Sequence, residues 1–218
     1  MSETGEEQFI TGIIPQQRRR GRFSVFVNEE FVIGLDEGSL LTLGWKVGDR
    51  LEAKELERAR EEVEYRAARA SAEILLGYRS RSESEIMKRL EQKGYSPAAI
   101  EHALRYLKLQ GYINDKEYAS SFANAGAACG LGRRRLAAEL RRRGVANELA
   151  EAALQSIDEN TEKKLALEFA RRRAASMVHL DPVVKARRLA AMLERRGFPY
   201  PAIRAALEHL VEQGEVES

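Results

Sequence analysis

The chain has 218 residues, of which 32% are charged and 7% aromatic, and its formal net charge at pH 7 is +2. A nearly balanced charge does not by itself predict a nucleic-acid ligand. The single cysteine, Cys129, excludes an intrachain disulfide and fits a reducing compartment. No apolar run reaches the ~20 residues needed to span a bilayer. We therefore expect a cytoplasmic protein that does not enter a membrane.

Strand-like segments dominate the front of the chain. Residues 1–8 are polar and acidic, and we expect them to be disordered. Residues 9–53 form a small β-hairpin or sheet region, in which three apolar runs within 9–36 predict an antiparallel three-stranded sheet. Because so few strands are marginally stable in water, we expect a helical turn at 39–43 and Trp45 to cover the sheet.

A long amphipathic helix follows the sheet. Its apolar residues recur at steps of three and four from Leu56 to Ile74. No helix breaker occurs before Gly77, so this helix is expected to join the sheet rigidly to the rest of the chain.

Beyond this helix, one stretch of sequence occurs three times. The first copy begins at Arg89 and reads RLEQKGYSPAAIEHALRYL. The second begins at Glu139 and reads ELRRRGVANELAEAALQSI, and the third begins at Met192 and reads MLERRGFPYPAIRAALEHL. A stretch repeated at nearly fixed spacing is typical of an array of one supersecondary unit. The predicted boundaries are 54–115 for the linking helix and helical repeat 1, 116–159 for repeat 2 and 160–214 for repeat 3.

Each copy predicts a helix, a glycine corner and a second helix. Glycine just past a helix end can take the left-handed conformation, and the residue after it can fold back onto that helix. The predicted corner residues are Gly94, Tyr95, Gly144, Val145, Gly197 and Phe198. We therefore predict a mainly α fold, a tandem array of three three-helix, helix-turn-helix-like repeats preceded by a small antiparallel β-sheet region.

Local signals predict where several helices begin. Ser82 and Glu85 fit a capping box, in which the serine accepts from a free amide and the glutamate reaches back. Asp115 and Asp181 are the predicted N-caps of the helices that follow them. The segment 124–132, NAGAACGLG, is either a loose helix end or a hinge.

Arginine-rich segments are the candidate binding residues. Arginine keeps its charge and pairs bidentately with carboxylate or phosphate. Arg135 and Arg142 share one side of a helix, which could follow a phosphate backbone or lie solvated beside Glu139. The candidate partner-contacting residues are Arg18, Arg19 and Arg20 at the predicted hairpin tip, with Arg134, Arg135, Arg141, Arg142 and Arg172.

No enzyme site emerges from the sequence. His102, His179 and His209 fall in separate units, and Cys129 has no partner at metal-binding spacing. The sequence therefore predicts no catalytic residues, no metal site and no cofactor.

With the repeats in place, the chain resembles the RecX family of bacterial recombinase regulators. The resemblance covers roughly residues 60–212 and depends on the order and spacing of several motifs. The motifs are LLGYRSRSESEI at 75–86, RL at 89–90, KGY at 93–95, GYIND at 111–115, YA at 118–119, EL at 139–140 and RGV at 143–145.

The resemblance implies a regulatory role in homologous recombination, DNA repair and the SOS response. It implies an elongated helical array that lies in the groove of the RecA–single-stranded-DNA filament, modulates or inhibits RecA and has no catalysis of its own. We also expect the protein to be a monomer. Weak contact with single-stranded DNA is compatible with this partner. The alternatives are a stand-alone DNA-binding protein of tandem helix-turn-helix units and a passive helical-repeat scaffold.

Overall fold

A computed structural model of the chain describes residues 7–17 and 21–213. The described residues form three strands and ten helices. The strands are β1 (Ile10–Pro15), β2 (Arg22–Val27) and β3 (Glu30–Asp36). The helices are α1 (Glu37–Leu43), α2 (Ala53–Tyr78), α3 (Glu83–Gln92), α4 (Pro97–Leu109), α5 (Asp115–Ala128), α6 (Arg133–Arg142), α7 (Asn147–Leu154), α8 (Glu159–Ala174), α9 (Pro182–Arg195) and α10 (Tyr200–Glu212). The chain divides into two compact units, Met1–Gly77 with Arg89–Leu109, and Tyr78–Lys88 with Gln110–Ser218.

The three strands form the predicted antiparallel sheet, in the order β1-β2-β3. Asn28 and Glu29 join β2 to β3 with φ of 49° and 71°, the left-handed values that match the twist of a two-residue hairpin. One face of the sheet buries Val25 and Leu35 completely. Trp45 is partly buried against this core, which confirms its predicted role as a cover.

The first glycine corner packs against α2. The Tyr95 hydroxyl donates to the Ala67 carbonyl at 3.1 Å, and the Glu64 carboxylate accepts from both the amide and the hydroxyl of Ser96 at 2.7 Å. The long helix therefore serves as the first helix of repeat 1, with α3 and α4 as the other two.

Repeats 2 and 3 each enclose a separate apolar core. In repeat 2, α5, α6 and α7 bury Leu136, Leu140 and Val145. In repeat 3, α8, α9 and α10 bury Leu193 and Phe198. The residue after each of these two corner glycines is thus a core residue, as predicted.

All three corner glycines have the predicted left-handed conformation. Their φ angles are 84° at Gly94, 75° at Gly144 and 86° at Gly197. The amide of the following residue donates to a carbonyl five residues earlier, which satisfies one of the free carbonyls at the helix end. These bonds are Tyr95 to Leu90 at 3.3 Å, Val145 to Leu140 at 3.1 Å and Phe198 to Leu193 at 3.1 Å.

Two of the predicted caps are confirmed. The Glu85 amide donates to the Ser82 hydroxyl at 3.2 Å, and the Ser82 amide donates to the Glu85 carboxylate at 3.3 Å, which completes the capping box. The Asp181 carboxylate accepts from the Val183 and Val184 amides at 3.0 and 3.2 Å.

The third predicted cap is wrong in an informative way. Asn114, not Asp115, caps α5 by accepting from the Glu117 amide at 3.2 Å. The Asp115 carboxylate instead accepts from the Glu83 amide at 2.9 Å. Asp115 therefore caps α3, a helix 32 residues earlier in the chain, because the fold brings the two helix starts together.

The C-terminal end of the middle helix of one repeat meets the N-terminal start of the middle helix of the preceding repeat. At the α6–α9 junction, the Gly132 amide donates to the Arg196 carbonyl at 2.9 Å and the Arg134 amide donates to the Gly197 carbonyl at 3.2 Å. Amides at the start of one helix thus meet the carbonyl end of another, where their opposite partial charges attract. A Cβ at Gly197 would overlap the Arg135 backbone, so the approach requires glycine.

At the α3–α6 junction a side chain makes the corresponding contact with the helix end. The Ser82 hydroxyl donates to the Arg143 carbonyl at the end of α6, and Ser82 is fully buried. A Cβ at Gly144 would overlap the Ser84 side chain. The corners at Gly144 and Gly197 therefore close a helix and also form the contact with the preceding repeat.

The glycines of segment 124–132 are closely packed against neighbouring helices, which argues against both a loose helix end and a hinge. A Cβ at Gly126 would overlap the Leu136 side chain, and one at Gly130 would lie 3.0 Å from the Phe169 ring. Small residues are needed here because neighbouring helices approach the backbone.

Candidate functional site

The outer side of α6 is strongly basic. The helix carries Arg133, Arg134, Arg135, Arg141 and Arg142 against a single glutamate, a net charge of +4. Leu136 and Leu140 are fully buried and fix the inner side of the helix. All five arginines are consequently exposed.

Glu139 partly neutralises this surface. Its carboxylate pairs with Arg135 at 3.0 Å and with Arg142 at 2.7 Å, so these two arginines do share one side of the helix, as predicted. The hydrogen bond from Arg142 is the main cause that lowers the pKa of Glu139. One carboxylate faces two guanidinium groups, and Arg141 has no ion pair within the described part of the chain. The surface therefore keeps a positive charge.

Glu162 approaches the start of α6 from α8. Its carboxylate accepts from the Arg133 amide at 2.9 Å and supplies the side-chain cap that Gly132 lacks. Burial raises the pKa of Glu162, against the lowering effect of this amide and of the nearby arginines.

Arg134 also lines a groove of about 740 Å³ along α9 and α10. The groove is largely apolar, and two of its side chains, Val183 and Tyr200, are 63% and 71% exposed. An apolar surface therefore lies next to the basic side of α6.

Arg172 belongs to a second basic group, in repeat 3. Two adjoining recesses lie beside the Phe169 ring, and Arg173 and Arg196 line both of them. Arg172 lines one recess and Arg195 lines the other. The Arg196 guanidinium lies 4.8 Å from the centre of that ring and donates to the Cys129 carbonyl at 2.9 Å. All four lie in basic runs of the sequence, Arg171–Arg173 and Arg195–Arg196, of which Arg172 is the predicted site candidate. The structure brings the two runs together at the ends of α8 and α9.

Arg143 of repeat 2 is equivalent to Arg196, since each directly precedes a corner glycine, but the charge of Arg143 is neutralised. The Arg143 guanidinium lies 4.7 Å from the centre of the Phe122 ring, but it also pairs with Glu85 at 3.2 Å and donates to the Tyr118 hydroxyl at 3.0 Å. Arg79 pairs with the same carboxylate at 2.9 Å. Burial alone would raise the pKa of Glu85, yet the bonds from Arg79 and from the Ser82 amide hold it below its usual value. This network holds the α3–α6 junction together.

The other predicted candidates do not join these surfaces. Arg18, Arg19 and Arg20 lie outside the described residues. The corner residues are structural, since Tyr95 bonds to α2 and Val145 and Phe198 are buried in their repeats.

Side chains that could bind a metal do not cluster in residues 7–17 and 21–213. Within them, no group of three or more His, Cys, Asp or Glu side chains is placed to hold a metal ion. His102 stacks on Tyr65 with 4.5 Å between ring centres, and His209 bonds to Gln213 at 3.0 Å. None of the described helices is long and apolar enough to cross a membrane.

Comparison with known proteins identifies two of the repeats. Residues 68–107 match the family model of the first three-helix domain of RecX, and residues 114–154 match the model of its second three-helix domain. These matches cover the end of α2 through most of α4, and α5 through α7.

Similar sequences carry the same family name. A regulatory protein RecX from Amycolatopsis mediterranei is 34% identical over 139 residues, which cover 63% of this chain and 79% of that protein. A regulatory protein RecX from Bacillus subtilis is 25% identical over 211 residues, covering 96% of this chain and 80% of that protein.

Solved structures share the fold. A crystal structure of regulatory protein RecX has a TM-score of 0.69 at 20% identity and covers 92% of this chain and 99% of its own. A crystal structure of RecX from Lactobacillus salivarius has a TM-score of 0.61 at 21% identity and covers 68% of this chain and 97% of its own. Together with the sequence matches, they show that this chain belongs to the RecX family of regulatory proteins.

Proposed function

We propose that this protein regulates the RecA recombinase by binding the RecA–single-stranded-DNA filament and inhibiting its ATP hydrolysis and strand exchange. Membership of the RecX family supports the regulatory role. The observation that carries the proposal is the exposed basic side of α6, a helix with five arginines and one glutamate, which pairs with two of them. Such a surface suits acidic partners, whether protein carboxylates or DNA phosphates.

The apolar groove beside Arg134 favours a protein partner over DNA alone. Val183 and Tyr200 expose apolar area there, which a phosphate backbone would leave uncovered. A RecA subunit is the proposed occupant, with DNA of the same filament close by.

The charge of α7 argues against binding to duplex DNA by helix-turn-helix docking. The helix after the corner would enter the major groove in that mode. In repeat 2 this helix contains neither lysine nor arginine, and it exposes Glu148 and Glu151. These carboxylates would face the phosphates and repel them.

In the proposed function the protein acts by binding and needs no catalytic group of its own. We propose that it works as a monomer in the cytoplasm, and that its inhibition comes from occupying the filament.

The test is RecA-catalysed ATP hydrolysis on single-stranded DNA, measured over a titration of wild-type protein and of two variants. The variant R135Q/R142Q removes two charges from the basic side of α6. The control variant R60Q/R105Q removes two arginines that are equally exposed. Each of those also pairs with a glutamate of its own helix, Arg60 with Glu57 at 3.3 Å and Arg105 with Glu101 at 2.7 Å.

We expect wild-type protein and R60Q/R105Q to inhibit at concentrations too low to coat the DNA, and R135Q/R142Q to require more protein. Inhibition only at coating concentrations, matched by equal affinity for DNA alone, would replace the proposal with a DNA-binding protein. Equal inhibition by both variants would remove Arg135 and Arg142 from the contact surface.

A further inference from the structure

The α6–α9 junction carries a group of arginines that the fold alone does not require. We call Arg172, Arg173, Arg195 and Arg196 the junction arginine cluster. They come from the C-terminal ends of two different helices, α8 and α9, and converge on one aromatic ring, Phe169. Four cations gathered from separate elements need a source of negative charge, or each must stay in water.

The chain supplies little of that negative charge. No ion pair joins any of the four arginines to a carboxylate of the described residues. Glu168 lies one turn before Arg172 and exposed, yet the two do not pair. The fixed contacts of Arg196 are a carbonyl oxygen and an aromatic ring, which are both neutral. The two helix ends offer roughly half a negative charge each, far less than the four positive charges.

The α3–α6 junction shows what a neutralised arginine looks like in this fold. There the corner arginine, Arg143, occupies the same position over an aromatic ring, but Glu85 neutralises it and Tyr118 bonds to it. In repeat 3 no carboxylate takes the place of Glu85 among the residues lining the recesses. Both junctions place an arginine over an aromatic ring, and they differ in the charge that remains on it.

The recesses suit phosphate groups and not bases. They measure about 310 and 200 Å³ and share Phe169, Arg173 and Arg196. Phe169 is only 4% exposed, so its ring cannot stack on a nucleotide base. Guanidinium groups around a shallow recess present several N–H donors, which match the oxygens of a phosphodiester.

We propose that the junction arginine cluster binds the backbone phosphates of single-stranded DNA without reading its sequence. This inference deepens the proposed function, and it rests on that function only for the statement that the DNA is the strand inside the filament. The contact itself is a property of this chain, so it is measurable without RecA.

The experiment measures the affinity of the full chain for a labelled oligothymidylate, without RecA, over salt concentrations from about 50 to 300 mM. The test variant R172Q/R195Q removes two members of the cluster that have no structural hydrogen bond. The control R58Q/R89Q removes two exposed arginines of α2 and α3 and changes the net charge equally. The variant R172K/R195K keeps the charge.

We expect wild-type protein, the control and the lysine variant to share one dependence of log affinity on log salt. The slope for R172Q/R195Q should be shallower by about 1.4, from two lost contacts at roughly 0.7 each on a single strand. If the curves meet near 1 M salt, this difference corresponds to about 25-fold weaker binding at 0.1 M. Circular dichroism of each variant confirms that the helices are intact.

Two results would overturn the inference. One is a slope for R172Q/R195Q equal to that of the control. The other is wild-type protein that does not bind the strand at about 50 mM salt. If R172Q/R195Q bound DNA normally but lost inhibition of RecA, the cluster would contact an acidic protein surface instead. A further outcome is that R172Q/R195Q loses the DNA contact while even wild-type protein does not inhibit RecA. That outcome would support the cluster and reject the proposed function.

Discussion

Replacing Gly197 with alanine tests whether the glycine corners hold neighbouring repeats together. Gly197 has φ of 86°, which alanine adopts at a cost of roughly 1–2 kcal/mol. The added Cβ would also overlap the backbone of Arg135, which cannot rotate away as a side chain could. Forcing an extra methyl group into a packed contact costs about a further 1–3 kcal/mol. The expected total loss of stability is therefore about 2–5 kcal/mol.

Gly111 provides the matched control for this substitution. It lies in the same compact unit, has φ of 73°, and an added Cβ would have no heavy atom within 4 Å. G111A should lose only the backbone contribution, about 1–2 kcal/mol. G94A should behave like G111A, because Gly94 has φ of 84° and equally open surroundings. The difference between G197A and G111A measures the contact between repeats.

Thermal unfolding followed by circular dichroism gives the comparison, with about 2–4 °C expected per kcal/mol for a chain of this size. Hydrogen exchange of the α6 and α9 amides then locates the loss, since an array of repeats does not have to unfold in one step. A G197A protein no less stable than G111A would refute the packing argument. Unchanged stability in G111A and G94A would refute the backbone argument.

Three further substitutions test the polar contacts. S82A removes a hydroxyl that caps α3 and donates to the Arg143 carbonyl, so the free energy of unfolding should fall by about 1–3 kcal/mol in denaturant titrations. D115A should lower the hydrogen-exchange protection of the first turn of α3 by about 1 kcal/mol, and N114A should lower that of the first turn of α5 by the same amount. The reverse pattern would contradict the cap assignment. The raised pKa of Glu162 means that the folded state holds this proton more tightly than the unfolded state. Its stabilising effect is therefore present below the ordinary glutamate pKa and is lost as pH rises through the folded pKa. Relative to E162Q, wild-type protein should lose stability over that interval, and parallel pH curves would exclude the effect.

The repeat and its corners could be predicted because they depend on local rules. A left-handed glycine, a capping serine with its glutamate and a period-3.6 apolar pattern are each set by neighbours in sequence. Glycine corners at Gly94, Gly144 and Gly197 therefore appeared where expected. The three-stranded sheet was predictable for the same reason, since its turn at Asn28 and Glu29 joins two alternating runs.

Contacts between distant segments were not predictable in this way. Asp115 carries every local signal of an N-cap, yet the carboxylate bonds to a helix start that only the fold brings near. The cap of α6 by Glu162 is of the same kind, and so is the convergence of Arg172 and Arg195 from two helices. The sequence identified α6 as basic, but the sharing of Glu139 by two arginines needed the geometry to show how much charge remains.

The junction between α6 and α9 has a consequence for how such chains diverge. Two of its hydrogen bonds join main-chain atoms, Gly132 to Arg196 and Arg134 to Gly197, so these bonds do not depend on side-chain identity. Gly132 and Gly197 are constrained by space, since a Cβ added at either would overlap the facing backbone. Duplicated units joined in this way can drift far apart in sequence without losing their stacking. This tolerance gives a physical reason why a fold can persist at 20% identity, and why the two junctions can differ in their charges.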